Sequence, residues 1–288
     1  MSEPEVLLTG LVIGESARWH DGRLWLSNWG AGEVLAVDAG GRAEVMARVD
    51  TTTLPFSIDW LPDGRLLVVA GPEGRLLRQG PDGTLVDHAD LSGHGGLNEI
   101  VVDGRGNVYL NGGNEFDPAA QTAPGFIVLV TPDGAVRRVA DGIAFPNGMV
   151  VTPGDSTLVI AESFAQRLTA FDIAADGSLS NRRVWAERTG DGICLDADGA
   201  IWSPGWTDDG RPACLRISEG GEVLSTYELE HSCFACTLGG PDGRTLFMLT
   251  ADWWMNDGFE DNLHRLTTGP RTGRVLIAPA PAPKAGRP

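Results

Sequence analysis

The chain has 288 residues, of which 42% are hydrophobic and 21% are charged, as in an ordinary globular protein. Its 39 acidic residues outnumber its 22 basic residues, and the formal net charge of −17 opposes nucleic acid phosphates while favouring a neutral or cationic ligand or a bound metal. No apolar run approaches the ~18 residues of a membrane-spanning helix, and the acidic start of the chain lacks a secretory signal. Composition therefore predicts a soluble, cytoplasmic protein that binds neither nucleic acid nor membrane.

Short apolar strands, separated by Asp-Gly turn signals, recur along the whole chain. Six of them align, and they begin at Leu24, Leu66, Val108, Leu158, Ile201 and Leu246. Their starts lie roughly 42 to 50 residues apart, which matches the period of four-stranded propeller blades. The sequence therefore predicts an all-β fold, a six-bladed β-propeller.

The two ends of the chain are predicted to meet in one blade. Residues 5–10 (EVLLTG) precede the first inner strand, and residues 273–280 (GRVLIAPA) end the last repeat. Pairing of these strands closes the ring and removes two exposed edges. We therefore expect residues 1–280 to form a single propeller domain, and the Pro- and Ala-rich residues 281–288 to be a disordered tail.

The four cysteines, at positions 194, 214, 233 and 236, are too few for a disulfide framework in a chain of this size. Cys233 and Cys236 have C-x-x-C spacing, but no second such pair accompanies them, and their setting (HSCFACTLGG) is typical of a buried strand. The sequence therefore predicts structural cysteines.

An equivalent position lies about nine to eleven residues before the aligned strand of each repeat, where the inner strand of the blade should begin. Four repeats carry an oxygen ligand there: Glu15, Asn98, Asn147 and Asp191. Equivalent positions of inner strands converge at one end of the central channel. Two carboxylates and two amide carbonyls suit a hard divalent cation, so we expect one cation per chain, with calcium preferred over zinc, manganese or magnesium.

Each of these residues also has a simpler interpretation. Asn147-Gly148 and Asp191-Gly192 are common hairpin-turn dipeptides, Asn98 would suit a turn cap, and Glu15 would suit a solvated position. The metal-site hypothesis is favoured because all four occupy the same phase of the repeat, whereas separate Asp-Gly turns follow further along.

Several segments resemble successive motifs of the SMP-30/gluconolactonase/luciferin-regenerating enzyme family. These are GESARWHDGRLWLSNW, GLNEIVVDGRGNVYL, FPNGMVVTPGDSTLVIAES, LTAFDIAADGSLSNRRVW and GDGICLDADGAIWSPGW. The resemblance covers nearly the whole chain and implies a six-bladed propeller with one divalent metal held by Glu15, Asn147 and Asp191. It also implies that Asn98 lies beside the metal and contacts the substrate or its water.

The chain departs from this family at positions that bear on the substrate. Gly96 stands where sugar lactonases often carry an arginine that holds hydroxyl groups, and Gly190 replaces a proline. Aromatic residues are expected at the blade tops: Trp29, Phe56, Phe116, Trp206, Trp253 and Trp254. We therefore expect an apolar lactone or ester substrate, contacted by Asn98, His94, Phe116 and Trp206.

The predicted activity is metal-dependent lactone opening, in which the metal polarises the carbonyl and activates water while Asp191 accepts a proton. His94 and His231 are possible helpers, and the protein is expected to be a monomer or a small homo-oligomer. The alternatives are hydrolysis of other esters or phosphotriesters, a non-catalytic calcium-binding or small-molecule-binding propeller, and a scaffold for protein partners.

Overall fold

The computed structural model describes residues 3–50, 53–113, 124–188, 190–254 and 257–288, without the side chain of Phe259. These residues form six antiparallel sheets, which confirms the predicted six-bladed β-propeller. The strands next to the channel are the first strands of the six blades, and each contacts the first strand of the next blade.

The strands of a blade follow one another in the chain, with two exceptions: β1 (Glu5–Leu11) belongs to the last blade, and β25 (Lys284–Ala285) belongs to the fifth. Blades 1 and 2 consist of β2 (Ile13–His20), β3 (Arg23–Trp29), β4 (Glu33–Val37) and β5 (Ala43–Arg48), then β6 (Phe56–Trp60), β7 (Leu66–Ala70), β8 (Arg75–Gln79) and β9 (Leu85–Asp90). Blades 3 and 4 consist of β10 (Leu97–Val102), β11 (Val108–Gly113), β12 (Pro124–Val130) and β13 (Val136–Ala144), then β14 (Pro146–Val151), β15 (Thr157–Glu162), β16 (Arg167–Ile173) and β17 (Leu179–Ala186). Blades 5 and 6 consist of β18 (Cys194–Asp196), β19 (Ile201–Trp206), β20 (Pro212–Ile217) and β21 (Val223–Glu228), then β22 (Ser232–Gly239), β23 (Thr245–Ala251) and β24 (Gly273–Pro279).

Blade 6 is completed by the N-terminal strand. Strand β1 pairs antiparallel with β24, from Glu5 opposite Ile277 to Leu11 opposite Gly273. The predicted closure is thus confirmed, and it leaves the first and last blades joined by backbone hydrogen bonds rather than by two open edges.

The C-terminal residues differ from the expected disordered tail. Lys284–Ala285 forms a short strand, β25, that pairs with Leu195 and Asp196 of β18, and Arg287 forms a bridge with Val151 of blade 4. Strand β18 is only three residues long and offers an unpaired inner edge, whose backbone groups the tail satisfies. The Pro and Ala composition conceals this pairing because backbone groups, not side chains, form it.

The apolar core fills the seams between neighbouring blades. Leu168 of blade 4 packs in one cluster with Leu215 of blade 5, and a separate cluster joins blades 2 and 3. Phe56, expected at a blade top, is instead fully buried with Trp25 and Val68 between blades 1 and 2. Burying each such side chain stabilises the fold by about 1.5–3 kcal/mol, so the seams hold the inner strands in fixed positions.

One helix, α1 (Phe259–Thr268), interrupts blade 6 between β23 and β24. Its Leu266 is buried against Val12 and Phe234, and the Asn262 side chain hydrogen-bonds to the backbone N–H and carbonyl of Trp254. No helix in the described part of the chain is long and apolar enough to cross a membrane.

Candidate metal centre and active site

Three of the four predicted ligands lie at irregularities in the inner strands. The register of strand pairing shifts directly after Glu15 in β2, around Asn98 in β10 and around Asn147 in β14. Such β-bulges redirect side chains and are common beside active sites. The fourth residue, Asp191, lies just before β18.

The two Asx-Gly dipeptides are not hairpin turns. The Gly148 N–H donates to the carbonyl of Asp191 at 3.0 Å, and the Gly192 N–H donates to a carbonyl of β22 at 2.8 Å. A Cβ on Gly148 would collide with the Asp191 carbonyl, and a Cβ on Gly192 would lie 2.7 Å from the Cβ of Ala235. Glycine is required here because neighbouring inner strands approach closely, and this approach brings Asn147 and Asp191 together.

A side chain of one blade holds the inner backbone of the next blade at three places around the ring. These hydrogen bonds run from Ser57 to the Asn98 carbonyl (2.8 Å), from Asn111 to the Asn147 carbonyl (2.6 Å) and from Ser163 to the Gly190 carbonyl (2.8 Å). The backbone at Asn98, at Asn147 and directly before Asp191 is thereby fixed by the preceding blade.

The amide groups of the two asparagines are also held in place. Asn98 Nδ2 donates to the Pro146 carbonyl at 3.1 Å, and Asn147 Nδ2 lies 3.4 Å from the Ser163 hydroxyl. Asn147 additionally hydrogen-bonds to the Asp191 carboxylate. Because the amide nitrogens serve as donors, the amide oxygens remain as the ligand atoms that a hard cation prefers.

The carboxylates of the site repel one another. Burial, followed by the charges of Asp191 and Glu99, raises the pKa of Glu15 well above its usual range. Burial and the charge of Glu99 likewise raise the pKa of Asp191 to about 8, although hydrogen bonds from Asn147 and from the Gly192 N–H lower it. Three carboxyl groups that destabilise each other's ionised form are typical of a site that binds a cation.

Sequence reasoning missed Glu99 and its partner Arg18. Their side chains form a buried ion pair, with 3.1 Å between Arg18 Nη2 and Glu99 Oε2, and Arg18 Nη2 also donates to the Ile100 carbonyl at 2.7 Å. One guanidinium beside the carboxylates of Glu15, Glu99 and Asp191 leaves a formal charge of −2, which matches a divalent cation. Charged residues inside inner strands were the available signal, since such residues are rarely buried without a partner.

One oxygen of the site lacks a partner. Asp191 Oδ1 is buried and has no hydrogen-bond donor among the described residues. Leaving such an atom unpaired costs about 1–3 kcal/mol, and a cation would satisfy it. Within the described part of the chain, no three His, Cys, Asp or Glu side chains form a metal-binding group, so the candidate set depends on its two amide ligands. On this chemistry, Glu15, Asn98, Asn147 and Asp191 fit a calcium-like ion.

The predicted substrate contacts lie in different settings. His94 is half-buried at the end of a 3-10 helix (Ser92–His94), with its ring 6.4 Å from that of Phe126. Trp206 is half-buried at the end of β19. Phe116 lies outside the described residues. His231, the other possible helper, has its Nδ1 2.6 Å from Asp252 Oδ1.

Three of the tryptophans expected at the blade tops are each held by a contact with a neighbouring residue. Trp29 Nε1 donates to the carbonyl of Phe56 at 2.6 Å, and Trp253 packs edge-on against Phe234 with 5.5 Å between ring centres. The guanidinium of Arg265 lies 4.3 Å from the ring centre of Trp254. These contacts anchor all three tryptophans, which are half-buried.

A further aromatic pair, missed in the sequence, flanks Asn147. Phe145 and Phe164 stack with 4.3 Å between ring centres, and Phe164 is 44% exposed. Phe145 is two residues before Asn147, and Phe164 follows Ser163, which contacts the Asn147 amide. The pair therefore offers apolar surface beside the candidate metal ligands.

The fold and the site define a six-bladed propeller in which the inner segments of different blades bring carboxylate and amide side chains together. The sequence model described as SMP-30/Gluconolactonase/LRE-like region matches residues 13–252, and the chain belongs to this family. It is 26% identical over 205 residues to diisopropyl-fluorophosphatase of Loligo vulgaris, covering 61% of this chain and 64% of the relative. The chain thus spans less than two thirds of the length of that relative.

Solved structures show the same fold. A luciferin-regenerating enzyme is 19% identical with a TM-score of 0.79, over 98% of this chain and 97% of its own. Regucalcin of Agrobacterium tumefaciens, described as a calcium-binding protein, is 23% identical with a TM-score of 0.72, over 99% of this chain and 97% of its own.

Proposed function

We propose that the protein is a divalent-metal-dependent hydrolase that opens lactones, with calcium as its metal. The observation that carries the proposal is the buried Asp191 Oδ1 without a donor, beside a second buried carboxylate, Glu15, and the amides of Asn98 and Asn147. Membership of a family that includes gluconolactonases supports the activity. The calcium-binding description of regucalcin supports the choice of metal.

Glu15, Asn147 and Asp191 would hold the cation, and Asn98 would lie beside it. When bound, the cation supplies electrophilic polarisation of a carbonyl and lowers the pKa of water. Asp191 would be the proton acceptor for the attacking water, since its carboxylate Oδ1 is buried and has no hydrogen-bond donor among the described residues. Asn98 orients the substrate by its amide, which the Pro146 carbonyl fixes.

The substrate we propose is a lactone or ester with an apolar substituent. Gly96 supplies no group to hold sugar hydroxyls, whereas the stacked Phe145 and Phe164 offer apolar surface next to Asn147. Burial of one extra methylene contributes about 0.8 kcal/mol, and an unpaired buried hydroxyl costs about 1–3 kcal/mol, so both effects disfavour polyhydroxylated lactones.

Hydrolysis of phosphotriesters is the second candidate. The identity with diisopropyl-fluorophosphatase favours it, and the same apolar surface would accept alkyl groups on phosphorus. Both reactions need an electrophilic cation and a general base, so the site alone does not separate them.

The test is a pH-indicator assay of an alkyl lactone, gluconolactone, an aryl ester and a phosphotriester, each with calcium and with a chelator. We expect the alkyl lactone to be preferred, and chelator to abolish turnover. Asp191→Asn should remove activity, whereas the matched change Asp208→Asn, at a side chain that is 94% exposed, should retain it. Calcium binding without turnover of any substrate would instead identify a non-catalytic binding protein.

A further inference from the structure

All four cysteines of the chain converge in the seam between blades 5 and 6. Cys194 of β18 and Cys236 of β22 have their sulfur atoms 3.9 Å apart. Cys214 of β20 hydrogen-bonds with both Cys236 and Cys233. Each of the four is at most 9% exposed, and the cluster is therefore one continuous group of thiols inside the protein.

The backbone holds two of these thiols at a spacing suited to a covalent bond. The Cys236 N–H donates to the carbonyl of Gly192 at 2.9 Å, and Gly192 forms a parallel bridge with Ala235, so the segments carrying Cys194 and Cys236 lie side by side. The two sulfur atoms, 3.9 Å apart, need to approach by about 2 Å to reach the S–S bond length of about 2.05 Å.

We propose that Cys194 and Cys236 are an oxidisable pair, a modification site that a small peroxide converts to a disulfide. Burial of both side chains, at 1% and 2% exposure, favours hydrogen peroxide over a bulky disulfide such as oxidised glutathione. This inference is independent of the proposed hydrolase activity.

The chemistry balances with peroxide as the oxidant. The Cys236 sulfur attacks one peroxide oxygen and the O–O bond breaks; the thiol proton leaves with the other oxygen as water, and Cys236 becomes a sulfenic acid. The Cys194 sulfur then attacks the sulfenic sulfur and expels its hydroxyl group, which takes the Cys194 thiol proton and leaves as a second water. The two thiols lose two electrons in total, and one peroxide is reduced.

The disulfide would act on the candidate metal centre through Gly192. In the reduced protein the Cys236 thiol lies 3.4 Å from the Gly192 carbonyl and 3.3 Å from that of Trp202. Oxidation removes the thiol proton, while the Cys236 N–H still donates to the Gly192 carbonyl at 2.9 Å, one residue away from Asp191. Closing the sulfur atoms from 3.9 Å to bonding distance displaces the segment that carries Gly192, next to Asp191, so we expect weaker calcium binding after oxidation.

The test uses the full chain, reduced and then treated with hydrogen peroxide, followed by intact mass measurement and peptide mapping without reductant. The wild type should lose two hydrogen atoms and yield a peptide linking Cys194 to Cys236, and a thiol reductant should reverse both changes. Cys194→Ala and Cys236→Ala should abolish the link, whereas the matched control Cys233→Ala should retain it. Four free thiols after treatment, a link between any other two cysteines, or oxidation to sulfinic acid without a link would overturn the proposal.

Calorimetry with calcium on the same oxidised and reduced samples measures the effect on Asp191. Equal affinities would overturn the coupling of the disulfide to the metal centre. If the reduced protein binds no calcium, the proposed function fails, while the peptide map of the wild type still decides the existence of the thiol pair, even where an alanine variant does not fold.

Discussion

Replacement of Arg18 by methionine should expose the electrostatic cost of the candidate metal centre. Arg18 and Glu99 are 6% and 3% exposed, and the variant keeps most of the apolar side-chain volume while it leaves Glu99 buried without its partner. Breaking a buried ion pair in this way typically costs about 3–5 kcal/mol. The metal-free variant should lose stability in that range, because the Glu15 carboxyl group also loses its favourable interaction with the Arg18 guanidinium.

Urea unfolding with a chelator present measures this loss. The double variant Arg18→Met, Glu99→Gln removes both charges, and we expect it to regain at least half of the lost stability. The control is Arg23→Met, whose guanidinium is 2.9 Å from the mostly exposed Glu44, and surface pairs of this kind contribute about 0–1 kcal/mol. A cost below about 1 kcal/mol for Arg18→Met, or a double variant no more stable than the single one, would refute this account.

Three further changes test other parts of the structure. Gly192→Ala should cost about 1–3 kcal/mol in urea unfolding, since the new Cβ would lie 2.7 Å from a Cβ of the neighbouring strand, whereas at Gly93 an added Cβ meets nothing within 4 Å and the same change should be nearly neutral. Burial raises the pKa of Glu162, but hydrogen bonds from two arginines, a threonine and a backbone amide lower it to about 2. The stability that this carboxylate contributes is therefore complete above its ordinary pKa of 4.5 and disappears as the pH falls toward 2. Glu162→Gln should therefore remove about 2–3 kcal/mol of stability at pH 7 but little at pH 2, measured by urea unfolding at both values. The metal-free protein should become less stable as the pH rises from 4 to 8, because the raised pKa values of Glu15 and Asp191 favour folding only while these groups are protonated, and calcium at about 100 times its Kd should restore about 2.7 kcal/mol in thermal unfolding at pH 8. A stability curve of the metal-free protein that is flat over this pH range would contradict the assigned repulsion.

The repeat made the fold and the candidate ligands predictable. Glu15, Asn98, Asn147 and Asp191 occupy the same position within their repeats. In a propeller, equivalent positions of the inner strands lie at the same end of the central channel. The closing of blade 6 followed from the same count of strands. These features depend on periodicity along the chain, which a single sequence contains in full.

Features that depend on contacts between distant residues were not predictable in the same way. Arg18 and Glu99 lie in different blades, and no local pattern links them. The tail residues 281–288 pair through backbone groups, which composition does not record. Phe56 was expected beside the channel mouth because of its place in the repeat, but its side chain fills the seam between two blades. In each case the missing information was the direction of a side chain or a backbone edge.

The support of the candidate ligands explains how a propeller can hold mutually repelling carboxylates. Asn98, Asn147 and Asp191 each belong to a different blade, and each blade is fixed by its own apolar seams, so the ligands cannot move apart without opening a seam. Hydrogen bonds from Ser57 and Asn111 additionally fix the carbonyls of Asn98 and Asn147 from the preceding blade. The packing of the blades therefore holds the carboxylates close together in the metal-free protein. A cation can then bind them favourably without any rearrangement of the site. Loss of the cation should accordingly lower the stability of the whole ring rather than unfold one blade.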